Sequence, residues 1–108
     1  MKTTIRNQKR RPTHPGALLR EDVLPALNMT QAQFAQALGV SRLTVSHLLN
    51  EHRAVSPDMA LRLEKALGTR AETWCSMQAA VDLWESRQHA DAFAAIKRLK
   101  DSSYALAA

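Results

Sequence analysis

Two short helical patterns, separated by a three-residue break, occupy residues 30–53 and constrain the fold more than any other part of the sequence. Each pattern repeats apolar residues at the three- and four-residue spacing of one helix face. These residues are Phe34, Ala35 and Leu38 in the first pattern, and Val45, Leu48 and Leu49 in the second. Thr30, with Gln33 three residues later, fits a capping box at the start of the first helix. In the break, Gly39 suits the end of that helix and Ser41 suits the cap of the next. So short a connection containing glycine sets two helices at a steep angle, which predicts a helix-turn-helix.

The second helix of this pair has a face that suits DNA. If its apolar residues face the core, the opposite face projects outward. The outward residues, which we predict to contact base edges in the major groove, are Arg42, Leu43, Ser46 and His47. Arg42 can donate two hydrogen bonds to O6 and N7 of guanine, and Leu43 can contact a thymine methyl group. The alternative is that Arg42 and His47 are ordinary solvated side chains; an exposed Leu43 argues weakly against it.

Polar residues at the ends of the two helices suit the phosphate backbone. Amide groups at a helix N-terminus bind phosphate with the help of the helix dipole, and hydroxyl, amide and basic side chains supply many further contacts. The predicted backbone contacts are Gln31, Ser41, Thr44, Asn50, His52 and Arg53. Because phosphates carry no base identity, these residues should hold the helix in place on every sequence alike.

The positive charge of the chain is concentrated before the first helix. The formal net charge is +5, and residues 1–13 contain Lys and Arg but no acidic residue. From residue 14 onward, Lys and Arg balance Asp and Glu. We predict that residues 1–13 form a flexible basic arm, in which Lys9, Arg10 and Arg11 contact phosphates or enter the minor groove. The alternative is a solvated tail that aids solubility.

One helix before the pair and one after it complete the predicted DNA-binding domain of residues 14–69. The first helix should begin near Pro15, because proline suits a first turn, with His14 as a capping or surface residue. Pro25 should end or bend this helix near Leu24. Its apolar stripe is Leu18, Leu19, Val23 and Leu27, and that of the later helix is Met59, Ala60, Leu63, Ala66 and Leu67.

Residues 70–108 contain both tryptophans of the chain. A spacing of three and four residues predicts one apolar seam along a further helix. The seam consists of Trp74, Met77, Val81 and Trp84. Part of this seam must cover the core, but two Trp and a Met exceed what a core already closed by four helices requires, so we predict that the seam forms a two-fold homodimer interface. The alternative is a monomer with both Trp in its own core. A sixth helix is expected to follow, with the apolar residues Phe93, Ile96 and Leu99.

No pattern in the sequence predicts catalysis, a metal site or a cofactor. There is no Gly-rich phosphate loop with a lysine and no HExxH motif, so we do not expect an enzyme. The single cysteine, Cys75, cannot form an internal disulfide, which agrees with a reducing compartment. The apolar runs are too short for a transmembrane helix, and the N-terminus lacks the apolar stretch of a secretory signal. A cytoplasmic protein without a membrane partner is therefore expected.

Several blocks of the sequence resemble a known family. These blocks are HPG at residues 14–16, LNMTQAQFAQALGVSR at 27–42, LLNEHR at 48–53 and SPDMALRLEKALG at 56–68. The chain resembles the Xre, or lambda-repressor-like, helix-turn-helix family, and within it the HigA-type addiction-module antitoxins. Members of the family often carry Gln at the position of Leu43. This departure changes the expected target sequence and not the fold.

The resemblance implies an all-α, lambda-repressor-like fold of about five helices with one or more C-terminal dimerisation helices. It implies a homodimer that binds a palindromic operator in double-stranded DNA and represses its own operon. It also implies a partner, a HigB-type toxin that cleaves mRNA at the ribosome and is neutralised by the antitoxin. Two alternatives remain open: an orphan Xre-type regulator without a toxin, and a protein-binding adaptor that uses the helix-turn-helix as a scaffold.

Overall fold

The computed structural model describes residues 10–99, so Lys9 of the predicted arm and the last residues of the chain lie outside it. Helix α1 covers residues 15–27 in three segments, α2 is Gln31–Leu38, α3 is Arg42–Leu49, α4 is Pro57–Leu67 and α5 is Ala71–Arg87. One turn of 3-10 helix, Ala90–Phe93, follows α5. No strand occurs in the part of the chain that the structure describes, and the predicted all-α fold of about five helices is confirmed.

Polar caps fix the start of α2, α3 and α4, the first two as the sequence predicts. The hydroxyls of Thr30, Ser41 and Ser56 each accept a hydrogen bond from the backbone N–H three residues later, at 3.1, 3.0 and 3.1 Å. At Thr30, the Gln33 side chain accepts in return from the Thr30 N–H at 2.9 Å, which completes a capping box. Each cap stabilises its helix by about 1 kcal/mol and sets the residue at which the helix begins.

Pro25 was predicted to end or bend helix α1 near Leu24, and the helix does not end there but continues through Pro25 to Leu27. Its middle segment, Leu19–Val23, is π-helical, and the Leu24 N–H bonds to the Leu19 carbonyl five residues earlier. A proline ring crowds the carbonyl four residues before it, and the wider turn gives that ring room. The additional residue in the turn also rotates the buried face. Leu24 is therefore buried, whereas Leu27, predicted inside, is 46% exposed.

The core lies between the five helices and consists mainly of aliphatic side chains. Its buried members are Leu19, Leu24, Phe34, Ala35, Leu38, Val45, Leu48, Leu49, Val55, Met59, Ala60, Leu63 and Trp74. At Gly16, helix α1 lies so close to α3 that a Cβ would overlap the backbone carbonyl oxygen of Leu48. Only glycine fits this contact, which explains why the HPG block has glycine at residue 16. Ala66, predicted in the buried stripe of α4, is exposed.

His14 caps α1, as predicted, but it is not a surface residue. His14 is only 3% exposed, and its Nδ1 accepts a hydrogen bond from the Gly16 N–H at 2.9 Å. Burial lowers the pKa of His14 below its ordinary value, because the charged imidazolium would lose its hydration. The cap therefore requires the neutral ring with its lone pair on Nδ1.

The described segment after α5 does not form the predicted sixth helix. Beyond the 3-10 turn, the chain as far as Leu99 has no helical residue. Phe93, Ile96 and Leu99 are 53%, 74% and 75% exposed. Short helices are marginal unless an apolar face packs against the rest of the protein, and each of these three residues is more than half exposed.

Candidate nucleic-acid interface

The outward face of α3 carries the residues predicted to contact bases. Arg42 and Leu43 are exposed, Leu43 at 64%, and Ser46 and His47 are half-buried. The opposite face of the helix is buried in the core. Residues at this spacing form two adjacent rows on a helix surface. The structure therefore places these side chains together on one accessible ridge, in a helix of the width that a major groove admits.

The predicted phosphate contacts at the start of α3 are partly used inside the protein. The Ser41 hydroxyl accepts from the Thr44 N–H at 3.0 Å, and the two hydroxyl oxygens are 2.8 Å apart. Whichever hydroxyl donates within that pair, the other keeps a proton that it can give to a phosphate oxygen. Gln31, the first residue of α2, is half-buried. Both helices start with backbone N–H groups that have no helical acceptor, an arrangement that favours anions.

Helix α3 ends in a tight turn that folds the following residues back beside it. The His52 N–H bonds to the His47 carbonyl at 2.8 Å, and the Glu51 N–H bonds to the Leu48 carbonyl at 3.1 Å. This is the bond pattern of a Schellman motif, with Glu51 in the left-handed region at φ +63°. The turn brings the His47 and His52 rings to a centroid distance of 6.3 Å. The exposed polar residues of the turn are Asn50, His52 and Arg53.

The Glu51 carboxylate joins this turn to two distant parts of the chain. Arg11 donates to its Oε1 at 2.8 Å, and Arg20 lies 3.3 Å from its Oε2. Arg20 also donates to the Leu49 carbonyl at 2.7 Å, so it closes the end of α3. The hydrogen bond from Arg11 is the largest cause that holds the pKa of Glu51 below its ordinary value. The end of α3 is therefore fixed by charged contacts as well as by backbone bonds.

These contacts give Arg11 and Arg20 roles that the sequence does not reveal. Arg11, predicted in the flexible arm, also binds Glu85 of α5 at 3.0 Å, so its guanidinium is occupied by two carboxylates. The partners of Arg11 lie 40 and 74 residues away in the sequence, and no local pattern links them.

Arg62 of α4 supports the turn between α2 and α3, and it too is absent from the predicted site. Its Nη1 donates to the carbonyls of Leu38 and Gly39 at 2.9 and 3.2 Å, and its Nε donates to Asp58 at 2.8 Å. Carbonyls at a helix C-terminus have no helical partner, so the guanidinium satisfies them. Arg62 thereby ties α4 to the turn that sets the angle between the two helices. The four-residue spacing of Asp58 and Arg62 was the only signal of this contact in the sequence.

The apolar seam predicted on α5 is divided between the core and the surface. Trp74 and Val81 are only 3% and 1% exposed, and the Trp74 Nε1 donates to the Thr69 hydroxyl at 2.7 Å. Side chains buried in their own chain cannot also cover a second one. Trp74 and Val81 are therefore removed from the predicted dimer interface, whereas Met77 and Trp84 stay half-exposed.

The solvent side of α5 carries two shallow depressions that meet at Ala80. One, of about 560 Å³, is lined by Leu83 and Trp84 among others and reaches Arg10. The other, of about 470 Å³, is lined by Met77 and residues nearer the start of the helix. Leu83 is 53% exposed. We call Met77, Ala80, Leu83 and Trp84 together the α5 outer face, which is apolar and accessible.

The titratable side chains of the described residues form no metal-binding cluster. Within residues 10–99, no group of three or more His, Cys, Asp or Glu could hold a metal ion. Cys75 is a free, half-buried thiol. None of the helices described there is long and apolar enough to cross a membrane.

Comparison with known proteins identifies the family. A sequence model of the family described as Helix-turn-helix matches residues 19–74, from the middle of α1 to the start of α5. Antitoxin HigA-1 of Vibrio cholerae is 41% identical over 83 residues, which cover 77% of this chain and 78% of that protein. This chain belongs to the HigA-type antitoxins of the Xre helix-turn-helix family. The predicted lambda-repressor-like fold is thereby confirmed.

Other similar proteins are named either as transcriptional regulators or as antitoxins. YbaQ of Escherichia coli, strain K12, is an uncharacterized HTH-type transcriptional regulator, 40% identical over 81 residues that cover 75% of this chain and 72% of YbaQ. Antitoxin GraA has been solved in complex with its operator. That structure matches with a TM-score of 0.78 and 38% identity over 91% of this chain and 100% of GraA.

Proposed function

We propose that this chain is the antitoxin of a type II toxin–antitoxin system and represses its own operon by binding an operator through α3. The observation that carries the proposal is the accessible ridge of Arg42, Leu43, Ser46 and His47 on a helix whose two ends are both fixed. The likeness to GraA, solved with its operator, supports it. Such a function places the protein with the DNA in the cytoplasm.

In this proposal Arg42 and Leu43 read bases. Arg42 is the first residue of α3, and the N-terminal residues of a recognition helix are those that reach base edges. A bidentate bond from Arg42 to guanine discriminates against the wrong base by about 1–3 kcal/mol. Leu43, 64% exposed in the free protein, becomes buried against a thymine methyl group. Ser46 and His47 lie one turn further along and contact the neighbouring bases.

The phosphate contacts lie on both sides of this ridge. Gln31, Ser41 and Thr44 act at the starts of α2 and α3, and Asn50, His52 and Arg53 act in the turn after α3. Lys9 and Arg10 serve as arm residues that approach the DNA backbone. Arg11 is assigned instead to the ion pairs that anchor the arm, because its guanidinium already binds two carboxylates.

Mutation of Arg42 tests the DNA-binding part of the proposal. We expect Arg42→Ala to weaken binding to the promoter region of the chain's own gene by about 1–3 kcal/mol and to relax the preference at one base pair. Arg98→Ala is the matched control, because it removes the same charge from an exposed position after the 3-10 turn. A gel-shift titration in which both variants bind like the wild type would refute the role of α3.

The α5 outer face is the surface that we propose for the homodimer. A two-fold contact buries the same apolar patch on both chains, and a dimer can place two recognition helices on half-sites roughly 34 Å apart. Leu83→Asp should yield monomers in light scattering coupled to size exclusion. Leu61→Asp, at a 56% exposed leucine of α4, should leave the dimer intact. A monomeric wild type, or a dimer that survives Leu83→Asp, would contradict this assignment.

Neutralisation of a HigB-type toxin is supported by membership of the family. The test is co-expression of the chain with the small protein encoded beside its gene. We expect the two proteins to copurify and growth to be restored. Operator binding without copurification would favour an orphan regulator. That alternative is supported by the similarity to YbaQ, which is named as a transcriptional regulator.

A further inference from the structure

Four helices of this domain end on a left-handed residue, and one of these residues, Glu51, is of a type that rarely adopts this conformation. Helices α1 to α4 are followed by Asn28 at φ +55°, Gly39 at +72°, Glu51 at +63° and Gly68 at +73°. Glycine adopts this region without strain and asparagine tolerates it, whereas the Cβ of glutamate crowds the next carbonyl. A strained residue that persists after the recognition helix points to a task for its side chain.

The task is visible in the contacts of the Glu51 carboxylate. Oε1 accepts from Arg11 at 2.8 Å, and Oε2 lies 3.3 Å from Arg20, which itself donates to the Leu49 carbonyl. The backbone of Glu51 forms the turn while its side chain is held from the N-terminal segment and from α1. The side chain is only 23% exposed, so it is enclosed more than a solvated glutamate.

We infer that Glu51 is a positioning residue for DNA reading. Its carboxylate locks the turn that carries Asn50, His52 and Arg53, and so sets where their phosphate contacts lie relative to the bases that α3 reads. The inference rests on the proposed operator binding through α3. Contacts to phosphate fix the register of a protein on the duplex, so a loose turn weakens reading without touching a base.

If Glu51 acted only through its charge, its removal would change operator affinity in the opposite direction, so the two explanations can be told apart. A carboxylate near the DNA backbone repels phosphates, so its removal should raise affinity for every sequence. If Glu51 instead positions the turn, its removal lowers affinity for the operator while affinity for random DNA stays equal or rises. Glu85 provides a matched control, because it also binds Arg11 but belongs to α5 and its side chain is 52% exposed.

The experiment compares Glu51→Gln with Glu85→Gln in the full chain. Each variant is titrated with a duplex from the promoter region of its own gene and with random DNA at about 150 mM salt. We expect Glu51→Gln to lower the ratio of the two affinities about tenfold, and Glu85→Gln to leave it unchanged. In the DNA-free protein, hydrogen exchange of the His52 amide should accelerate about tenfold in Glu51→Gln only, because that amide closes the turn.

A second variant separates positioning from simple helix termination. Glycine ends a helix with less strain, so Glu51→Gly should melt no lower than Glu51→Gln and still lose the operator preference. Equal affinity ratios and equal exchange rates in Glu51→Gln and Glu85→Gln would overturn the inference, and so would a Glu51→Gly variant with wild-type preference. A wild-type chain without operator preference would refute the proposed function instead. The exchange rates in DNA-free protein would then still decide whether Glu51 holds the turn.

Discussion

Replacing Gly16 with alanine should force α1 away from the recognition helix. A Cβ at this position overlaps the Leu48 carbonyl oxygen and lies 3.1 Å from Nδ1 of His14. The oxygen belongs to the backbone of α3, so no side-chain rotation can make room for the methyl group. Overpacking costs about 1–3 kcal/mol and more where backbone must shift, and the higher helix propensity of alanine returns about 1 kcal/mol of that. Because the obstacle is backbone, we take a gross cost of about 3–4 kcal/mol, which leaves a net loss of about 2–3 kcal/mol.

Thermal unfolding followed by circular dichroism measures this loss. In a domain of about 100 residues, 1 kcal/mol lowers Tm by about 4–8 °C, so Gly16→Ala should melt about 10–20 °C below the wild type. Gly68→Ala is the control. Gly68 has φ +73° and no atom within 4 Å of an added Cβ, so only left-handed strain of about 1 kcal/mol applies there. If both variants melt within a few degrees of each other, the close contact of α1 with α3 is refuted.

Three further predictions concern the cap, the turn and the arm. Burial lowers the pKa of His14 below its ordinary value of 6.5, so as the pH falls below 6.5 the unfolded chain takes up a proton before the folded chain does. The contribution of the neutral His14 to stability is therefore complete above pH 6.5 and is lost as the pH drops below it. His14→Asn, a cap that does not titrate, should flatten this pH dependence of Tm, and parallel curves would contradict the prediction. Arg62→Met should cost about 1 kcal/mol, a value discounted because the side chain is 39% exposed, and an unchanged Tm would show that its bonds to Leu38 and Gly39 are not stabilising. Deletion of residues 1–9 should reduce the slope of log affinity against log salt by about 0.9 for each phosphate that the arm neutralises, with sequence preference unchanged; an unaltered slope would exclude the arm from DNA.

The parts of the fold that were predicted correctly depend on interactions within about one helical turn. The capping box at Thr30, the cap at Ser41 and the left-handed Gly39 act between residues at most five apart, so the sequence contains both partners of each bond. The ridge of α3 follows from the same local periodicity. Once the buried face of an eight-residue helix is known, the exposed face is known as well.

The parts that were missed depend on contacts that only the folded chain creates. The π-helical stretch before Pro25 rotated the buried face of α1 from Leu27 to Leu24. Trp74 is buried because its side of α5 packs on the core, and the spacing of apolar residues along α5 does not show which side that is. The role of Glu51 could not be predicted, because it depends on the backbone angle φ at the end of α3 and on an ion pair with Arg11, 40 residues away in the sequence.

The most direct test of the account is the affinity of the wild-type chain for two duplexes of equal length and composition. One carries the promoter region of its own gene, and the other carries the same bases in scrambled order. At about 150 mM salt, where phosphate attraction alone gives only weak binding, the account predicts a preference of at least about a thousandfold for the promoter. A ratio near one would contradict the claim that α3 reads DNA sequence.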